Sequence, residues 1–284
     1  MRCGAAEGLT AAGTGYLLHR TTGDVTMGKA LVTGGARRLG RAMALHLGAR
    51  GYDVAIHYDR SEAEAEAVVA EIRAMGRQAV ALQTDLLDEA AMADLVPRAA
   101  AALGGPLTVL VNNASIFEYD TLRSATKTGW DRHIGSNLRA PFVLTQGFAA
   151  QAAPVGTEGG EPVATGLIVN MIDQRVLKPT PEFMTYTLAK MALWAFTRTA
   201  AQALAPTIRV NAIGPGPTMV GARQRDDHFA RQRAATVLGR GADASDICAA
   251  LSYLLDARAV TGQLLCVDGG QHLAWKTADI LGVE

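Results

Sequence analysis

The sequence predicts an α/β fold, a single-domain doubly wound parallel sheet of about seven strands with helices on both faces. Three observations carry that reading. Short apolar runs recur along the chain, longer stretches with a helical pattern separate them, and polar or glycine-rich clusters close the short runs. Strand and helix alternating in this way call for right-handed crossovers. The closing clusters then fall beyond the C-terminal ends of the strands, where open α/β sheets bind ligands.

Length and composition agree. The 284 residues suffice for one large domain, and with 49% apolar and 19% charged residues a sizeable core can be buried. The 27 Lys plus Arg balance 27 Asp plus Glu, which argues against nucleic acid held by bulk charge. Cys3, Cys248 and Cys266 are far apart and form no metal-ligand set, so a reducing compartment and no metal are expected. No run of about 18 apolar residues occurs, so no membrane partner is expected and a cytoplasmic location is. Residues 1–26 are rich in Gly, Ala and Thr, show no period and lack the pattern of a signal peptide. They read as a poorly ordered N-terminal tail, with Met27 a candidate natural start and 27–284 the catalytic domain.

The elements follow in order. Ala30, Leu31 and Val32 make a first strand, broken by Thr33-Gly34-Gly35-Ala36-Arg37-Arg38-Leu39-Gly40, and residues 41–50 read as an amphipathic helix ending near Gly51. Strand, glycine-rich turn and helix form the first unit of a Rossmann-type dinucleotide-binding fold. Glycines let the backbone approach a pyrophosphate, and the helix N-terminus supplies amides and positive potential. Taken alone, such a turn is equally a plain strand–helix connection. The second strand, 54–58, ends in Asp59-Arg60-Ser61, where such folds place the adenosine ribose. An acid there suits a free 2′-hydroxyl; arginine with a hydroxyl suits a 2′-phosphate. Arg60 and Ser61 point to NADPH, and Asp59 dissents unless it turns outward. A helix over 62–75, a strand over 79–83 closed by Thr84-Asp85-Leu86, and a helix over 89–103 come next. A fourth strand, 109–111, runs into Asn112-Asn113-Ala114-Ser115, with Ile116 and Phe117 following.

Residues 130–147 read as one long helix carrying Asn137, which either satisfies an ordinary hydrogen bond or holds a water near the site. The stretch 154–166 is rich in Gly, Pro and Glu and reads as a solvent loop at the sheet edge opposite the site. A fifth strand, 167–171, ends in Ile172-Asp173, and a loop with Pro179 and Pro181 leads to Tyr186-Thr187-Leu188-Ala189-Lys190. No Gly or Pro interrupts the chain from Tyr186 until Pro206, so this segment is a helix. Residues four apart share a helix face, so the Tyr186 phenol and the Lys190 ammonium can meet. A nearby ammonium favours phenolate and should lower the tyrosine pKa. A sixth strand, 208–213, ends in Gly214-Pro215-Gly216-Pro217. Residues 219–240 carry five arginines and little apolar periodicity, suiting a lid near 217–240 or a merely solvated segment. A last helix over 246–255 and a last strand over 264–267, ending in Asp268-Gly269-Gly270, complete the pattern.

Over residues 29–271 these pieces resemble the short-chain dehydrogenase/reductase family. The matching marks are the turn at 33–40, Asp85, Asn112-Asn113-Ala114, Asn137, Tyr186 with Lys190, Pro215-Gly216, and Thr261-Gly262 with the ending Val267-Asp268-Gly269-Gly270. Three departures are informative. Arg38 stands where the usual turn has glycine, Asp173 where the usual catalytic serine stands, and Ser115 where Asn-Asn-Ala-Gly has its glycine, with Phe117 two residues on. With residues 57–61 they resemble the pteridine reductases and their bacterial dihydromonapterin and dihydrofolate reductase-like relatives. That resemblance implies NADPH-dependent reduction of a pterin-like C=N bond, with Asp173, Tyr186, Lys190 and Asn137 catalytic. It implies cofactor contacts from Gly34, Arg37, Arg38 and Leu39, and from Tyr58, Arg60, Ser61, Asp85 and Leu86. Asn113, Ala114, Ser115, Tyr186, Lys190, Pro215 and Gly216 complete that set. Arg38, Ser115, Phe117, Asp173 and Tyr186 would meet the substrate, and relatives are usually homotetramers pairing through their long helices. The chemistry is coherent, since C=N reduction needs a proton on nitrogen and a carboxyl suits a weakly basic ring nitrogen better than a serine does. A carbonyl or 3-oxoacyl-carrier-protein reductase, and a non-catalytic nucleotide-sensing scaffold, stand as alternatives.

Overall fold

In the computed structural model the described residues are 28–219 and 226–275. The apolar runs become β1 (Lys29–Val32), β2 (Asp53–Tyr58), β3 (Ala79–Gln83) and β4 (Val109–Asn112). Helices α1 (Arg38–Ala49), α2 (Glu62–Ala74) and α3 (Glu89–Ala102) separate them. Then come α4 (Lys127–Ile134), a π-turn (Gly135–Arg139), α5 (Ala140–Gln151), β5 (Gly156–Glu158), β6 (Glu161–Val163) and β7 (Gly166–Met171). The chain closes with α6 (Met184–Leu204), β8 (Ile208–Pro215), α7 (Asp226–Ala234), α8 (Ala244–Asp256) and β9 (Leu264–Val267).

Seven strands form one parallel sheet in the order β3-β2-β1-β4-β7-β8-β9. Because side chains alternate across a strand, each strand supplies both faces. Val32, Ile56, Val111, Val169 and Ile213 pack under α1, α2 and α8 in one apolar cluster. Leu31, Ala55, Leu110, Ile168 and Val210 pack under α3, α5 and α6 in the other. Burial on both faces is why these strands read as unbroken apolar runs. Register levels the strand ends, with Val32 paired to Ile56 and Val111, and Asn112 paired to Asn170.

A buried polar ladder ties those ends to α6. Asn112 Nδ2 donates to Asn170 Oδ1 at 2.8 Å, and Asn170 Nδ2 donates to Thr197 Oγ1 at 2.9 Å. Thr197 Oγ1 in turn donates to the Leu193 carbonyl at 2.8 Å.

Two expectations need correction, and a third gains detail. The stretch 154–166 is not all loop: β5 and β6 pair as an antiparallel hairpin, with Gly159 and Gly160 at φ +60° and +86° in its turn. Two left-handed residues in a two-residue loop match the twist of the flanking strands. The hairpin precedes β7, hence at the sheet end away from the strand C-termini, and Glu158 pairs with Arg258 after α8. The helix expected at 130–147 begins earlier, ends later, and is broken by the π-turn that contains Asn137. The segment 217–240 holds a helix, α7; residues 220–225 and the tail 1–26 lie outside the described residues.

Phe148, fully buried, fills the space between α5 and the start of β7, where a Cβ on Gly166 would sit 3.0 Å from its ring. Phe148→Ala should therefore lower the unfolding free energy by about 3–5 kcal/mol in urea denaturation. A loss below about 1 kcal/mol would mean that the neighbouring helices close over the cavity.

Candidate active site

The turn after β1 is held by one hydroxyl. Thr33 Oγ1 accepts the backbone N–H groups of Asn113 and Ala114, both at 2.9 Å, and donates to the Val111 carbonyl. Asn113 Nδ2 returns bonds to the carbonyls of Thr33 and Gly34 at 2.8 and 3.2 Å. Approach is so close that a Cβ on Gly40 would lie 2.1 Å from the Gly34 oxygen. Gly34 has φ +61° and Arg38 φ +52°, so the arginine occupies a left-handed position that favours glycine. No side chain caps the N-terminus of α1 and no acid lies in its first turn, which leaves its amides facing the turn. These features fit a dinucleotide pyrophosphate: close backbone approach, uncapped amides and adjacent guanidinium groups.

The ribose end is more crowded. An open groove of about 470 Å³ runs between the turn and α2, lined by Ala36, Arg37, Arg38 and Ala67 among others. Arg37 pairs with Glu64 and Arg41 with Glu71. Asp59 is exposed, yet it turns to Arg60, 3.3 Å away. Arg60 itself is 89% exposed, and Ser61 precedes α2 without capping it. Tyr58 and Leu39 are half-buried and Leu86 is buried. Asp85 accepts the Leu87 amide at 2.9 Å. Pro215 ends β8; Gly216 donates its amide to the Val267 carbonyl at 3.0 Å and lies too near Asp268 for a side chain.

At the other end, Asp173 follows β7 and Tyr186 and Lys190 sit on the first turns of α6. The Tyr186 hydroxyl donates to Asp173 Oδ2 at 3.0 Å, and the Arg175 amide donates to Oδ1 at 2.8 Å. Lys190, buried, donates to the Met171 carbonyl at 2.8 Å, with its Nζ 5.7 Å from the Tyr186 ring centre. Burial raises the Asp173 pKa against the pull of the Arg175 amide and charge. Burial lowers Lys190 to about 8, with Asp173 opposing. The expectation that Lys190 lowers the tyrosine pKa is corrected here. Burial first, and then the charge and hydrogen bond of Asp173, push Tyr186 well above its ordinary value. The carboxylate is the phenol's direct partner and outweighs the more distant ammonium.

Ser115 is exposed beside the phenol, with its hydroxyl donating to the Ile116 carbonyl at 3.4 Å, and it slightly opposes the rise of Tyr186. Phe117 is not core packing: it is 49% exposed. Its ring stacks on Phe183 at 4.3 Å and meets Tyr186 edge-on at 4.7 Å. Asn137 spends both polar ends on Ile116, accepting its N–H and donating to its carbonyl, each at 2.9 Å. Its side chain thereby fixes the segment between Ser115 and Phe117. The Arg38 guanidinium reaches the Met219 carbonyl at 3.1 Å.

Sequence reasoning missed several contributors. His57 Nδ1 accepts the Gly34 amide at 3.0 Å, so its Nε2–H faces the Thr84 carbonyl, also at 3.0 Å. The sole signal was a polar ring inside an apolar strand. Phe183, at φ +54°, and Arg175, whose guanidinium lies 5.2 Å from the Phe183 ring, left no signal.

Comparison with known proteins agrees with this geometry. The sequence model of the short chain dehydrogenase family matches residues 28–230. The 3-oxoacyl-[acyl-carrier-protein] reductase FabG of Staphylococcus epidermidis is 32% identical, over 86% of this chain and 98% of that protein. Pteridine reductase 1 of Leishmania tarentolae is also 32% identical, over 86% of this chain and 96% of that protein. The crystal structure of FolM alternative dihydrofolate reductase 1 from Brucella canis, complexed with NADP, superposes with a TM-score of 0.82. It is 42% identical and covers 90% of this chain and 98% of its own.

His57→Leu should orphan the Gly34 amide and the Thr84 carbonyl, each worth about 1–3 kcal/mol when buried and unpaired. Urea denaturation should show that loss, and NADPH titration a weaker affinity as the turn loosens. Unchanged stability would mean that water takes over both groups.

Proposed function

We propose, from the premise that the chain belongs to the short-chain dehydrogenase family, that this NADP-dependent oxidoreductase reduces a pterin-like C=N bond. Pteridine, dihydromonapterin and dihydrofolate are the candidate substrates. The observation that carries the reading is the bond from the Tyr186 hydroxyl to Asp173 Oδ2, 3.0 Å long, beside a half-exposed Phe117 ring. The pteridine reductase and FolM relatives support it. The FabG relatives, at an identity similar to the pteridine reductase, keep ketone reduction as the second reading.

The turn at Gly34, Arg37, Arg38 and Leu39 would hold the cofactor phosphates, with Arg60 and Ser61 at the 2′-phosphate and Asn113, Ala114, Ser115, Pro215 and Gly216 along its length. When bound, the nicotinamide supplies the hydride that no side chain can. The residues of this chain then manage the proton. Tyr186, held above its ordinary pKa, keeps its proton at neutral pH. Asp173, whose pKa burial raises, would with the phenol that donates to its Oδ2 pass a proton to a ring nitrogen, and solvent would return that proton to the pair. Lys190 is charged below about pH 8 and offsets the negative charge left on that pair. Asn137 keeps the segment carrying Ser115 and Phe117 in place. Phe117 offers a face to a flat ring.

Beyond the site, we assign the protein to the cytoplasm as a homotetramer pairing through α4–α5 and α6, where Phe142, Leu188 and Met191 are exposed. Helix α7, anchored where Arg233 donates to the Pro217 and Ala242 carbonyls, would take the role of a lid.

Asp173→Ser should cut dihydropterin turnover by about 10²-fold or more, the usual scale for loss of a general acid–base group. Steady-state assay with NADPH decides; unchanged turnover, or a rise alongside ketone reduction, leaves the ketone reading. Turnover should also fall as pH rises through about 8, since the Lys190 ammonium is present below that pKa and lost above it. A rate constant flat to pH 9 would remove Lys190 from that role. Arg60→Ala should shrink the preference for NADPH over NADH by about tenfold or more, as one charge-assisted bond to phosphate implies. An unmutated protein that binds both cofactors equally would put Asp59, not Arg60, at the ribose.

A further inference from the structure

Three buried side chains outside the catalytic set form an unbroken hydrogen-bonded chain beneath Tyr186. His133, Thr185 and Asp120 are all more than nine-tenths buried. The Glu118 amide donates to His133 Nε2 at 3.1 Å, which puts the ring proton on Nδ1, facing Thr185 Oγ1 at 2.7 Å. The Thr185 hydroxyl then donates to Asp120 Oδ2, and the Thr185 amide donates to Asp120 Oδ1 at 3.2 Å. The Phe183 amide donates to the Asp120 carbonyl at 2.8 Å, and Thr121 bridges Glu182. The His133 ring lies 6.1 Å from the Tyr186 ring, edge-on.

A polar chain of this kind is expensive to bury unless every member is satisfied, and here each is. Its position suggests what it accomplishes. One end grips the backbone at Glu118, immediately after Phe117. The other places a carboxylate at the N-terminus of α6, where it meets a free amide and the positive end of the helix dipole. Tyr186 is on that first turn. The chain of bonds thus spans the segment that presents Phe117 and Ser115, helix α4, and the helix that presents Tyr186 and Lys190. Asn137 fixes the same segment from the π-turn, one residue before Phe117. Burial keeps His133 below its ordinary pKa, so the neutral ring required by the Glu118 bond is the stable form.

We propose that Asp120, Thr185 and His133 are positioning residues that set the distance and angle between the aromatic face of Phe117 and the proton donor Tyr186. They act on substrate placement more than on cofactor affinity, because the turn that would hold the cofactor phosphates follows β1 and none of the three touches it. This inference rests on the flat-ring reading of the site.

The test uses Thr185→Val, which keeps the side-chain shape and removes only the hydroxyl link, with Thr185→Ser as the restoring variant and Phe117→Ala as the reference. Each is assayed with dihydropterin and NADPH for KM and kcat, titrated with NADPH, and melted. Thr185→Val should raise the dihydropterin KM about tenfold, the scale of one lost buried hydrogen bond, with NADPH affinity within twofold of the parent and Thr185→Ser close to it. If Phe117→Ala raises KM and Thr185→Val does not, the positioning role is overturned and the flat-ring reading stands. If Phe117→Ala leaves dihydropterin reduction unchanged, or the parent does not reduce dihydropterin, the flat-ring reading falls and this inference with it. A Thr185→Val protein that loses NADPH affinity and melting temperature as much as KM also overturns it, because the chain would then be a general core clamp. His133→Leu, which breaks the chain at its other end, should reproduce the KM effect; if it does not, the link through Thr185 is not what positions Phe117.

Discussion

The Thr33 hydroxyl is the joint on which the nucleotide end depends. It is saturated, with two amides from the turn after β4 received and one carbonyl of β4 engaged. That places two strand ends at a fixed separation before any ligand arrives, and Asn113 closes the same gap from the other side. The close approach of Gly40 to Gly34 follows, since no larger residue fits once the two turns are drawn together. His57 extends the same logic one strand outward, to β2 and the end of β3. Preorganisation of this kind spares a bound ligand the entropy of ordering the loops.

The chemistry end has a different logic, set by one carboxylate. Asp173 raises Tyr186, opposes the fall of Lys190, and adds to the rise of Cys266, which burial pushes up to about 11. A serine at the same place would carry no charge and would act on none of the three in this way. Replacing a hydroxyl with a carboxylate therefore bears on three titrating neighbours, not one contact. Arg175 is the counterweight, with its amide on Oδ1 and its guanidinium against the Phe183 ring.

Much of this was legible in the sequence because parallel strands buried on both faces leave continuous apolar runs, and all seven runs became strands of the sheet. Arg38, Asp85, Ser115 and Asp173 were legible as candidates because each lies just past such a run, and Tyr186 with Lys190 because helical spacing puts them on one face. What escaped has physical reasons. The strands of the β5–β6 hairpin are three residues each with no apolar alternation, although Gly159-Gly160 between them was a turn signal passed over. The left-handed Phe183 could not be foreseen, since aromatic residues rarely adopt that conformation and its support comes from Phe117, Tyr119 and Arg175. The direction of the tyrosine shift was misjudged because helical spacing reveals a neighbour on the same helix but neither burial nor a carboxylate arriving from another strand. The NADPH expectation agrees with NADP-bound structural relatives, although the sequence did not show that Asp59 and Arg60 are partners of each other.

The π-turn at Gly135–Arg139 has a consequence for the whole helical layer. One extra residue in a turn advances every following side chain by about 100° relative to an unbroken α-helix. Before the turn, α4 packs on α6; after it, α5 packs chiefly on α3. A single rod with no change of phase would show one face throughout and could not serve both neighbours well. The wound-in residue works like a splined coupling between two shafts, letting the half that braces the active site be aligned independently of the half that closes the core. Sequence drift in the core-facing half can then be absorbed without turning Asn137 away from Ile116.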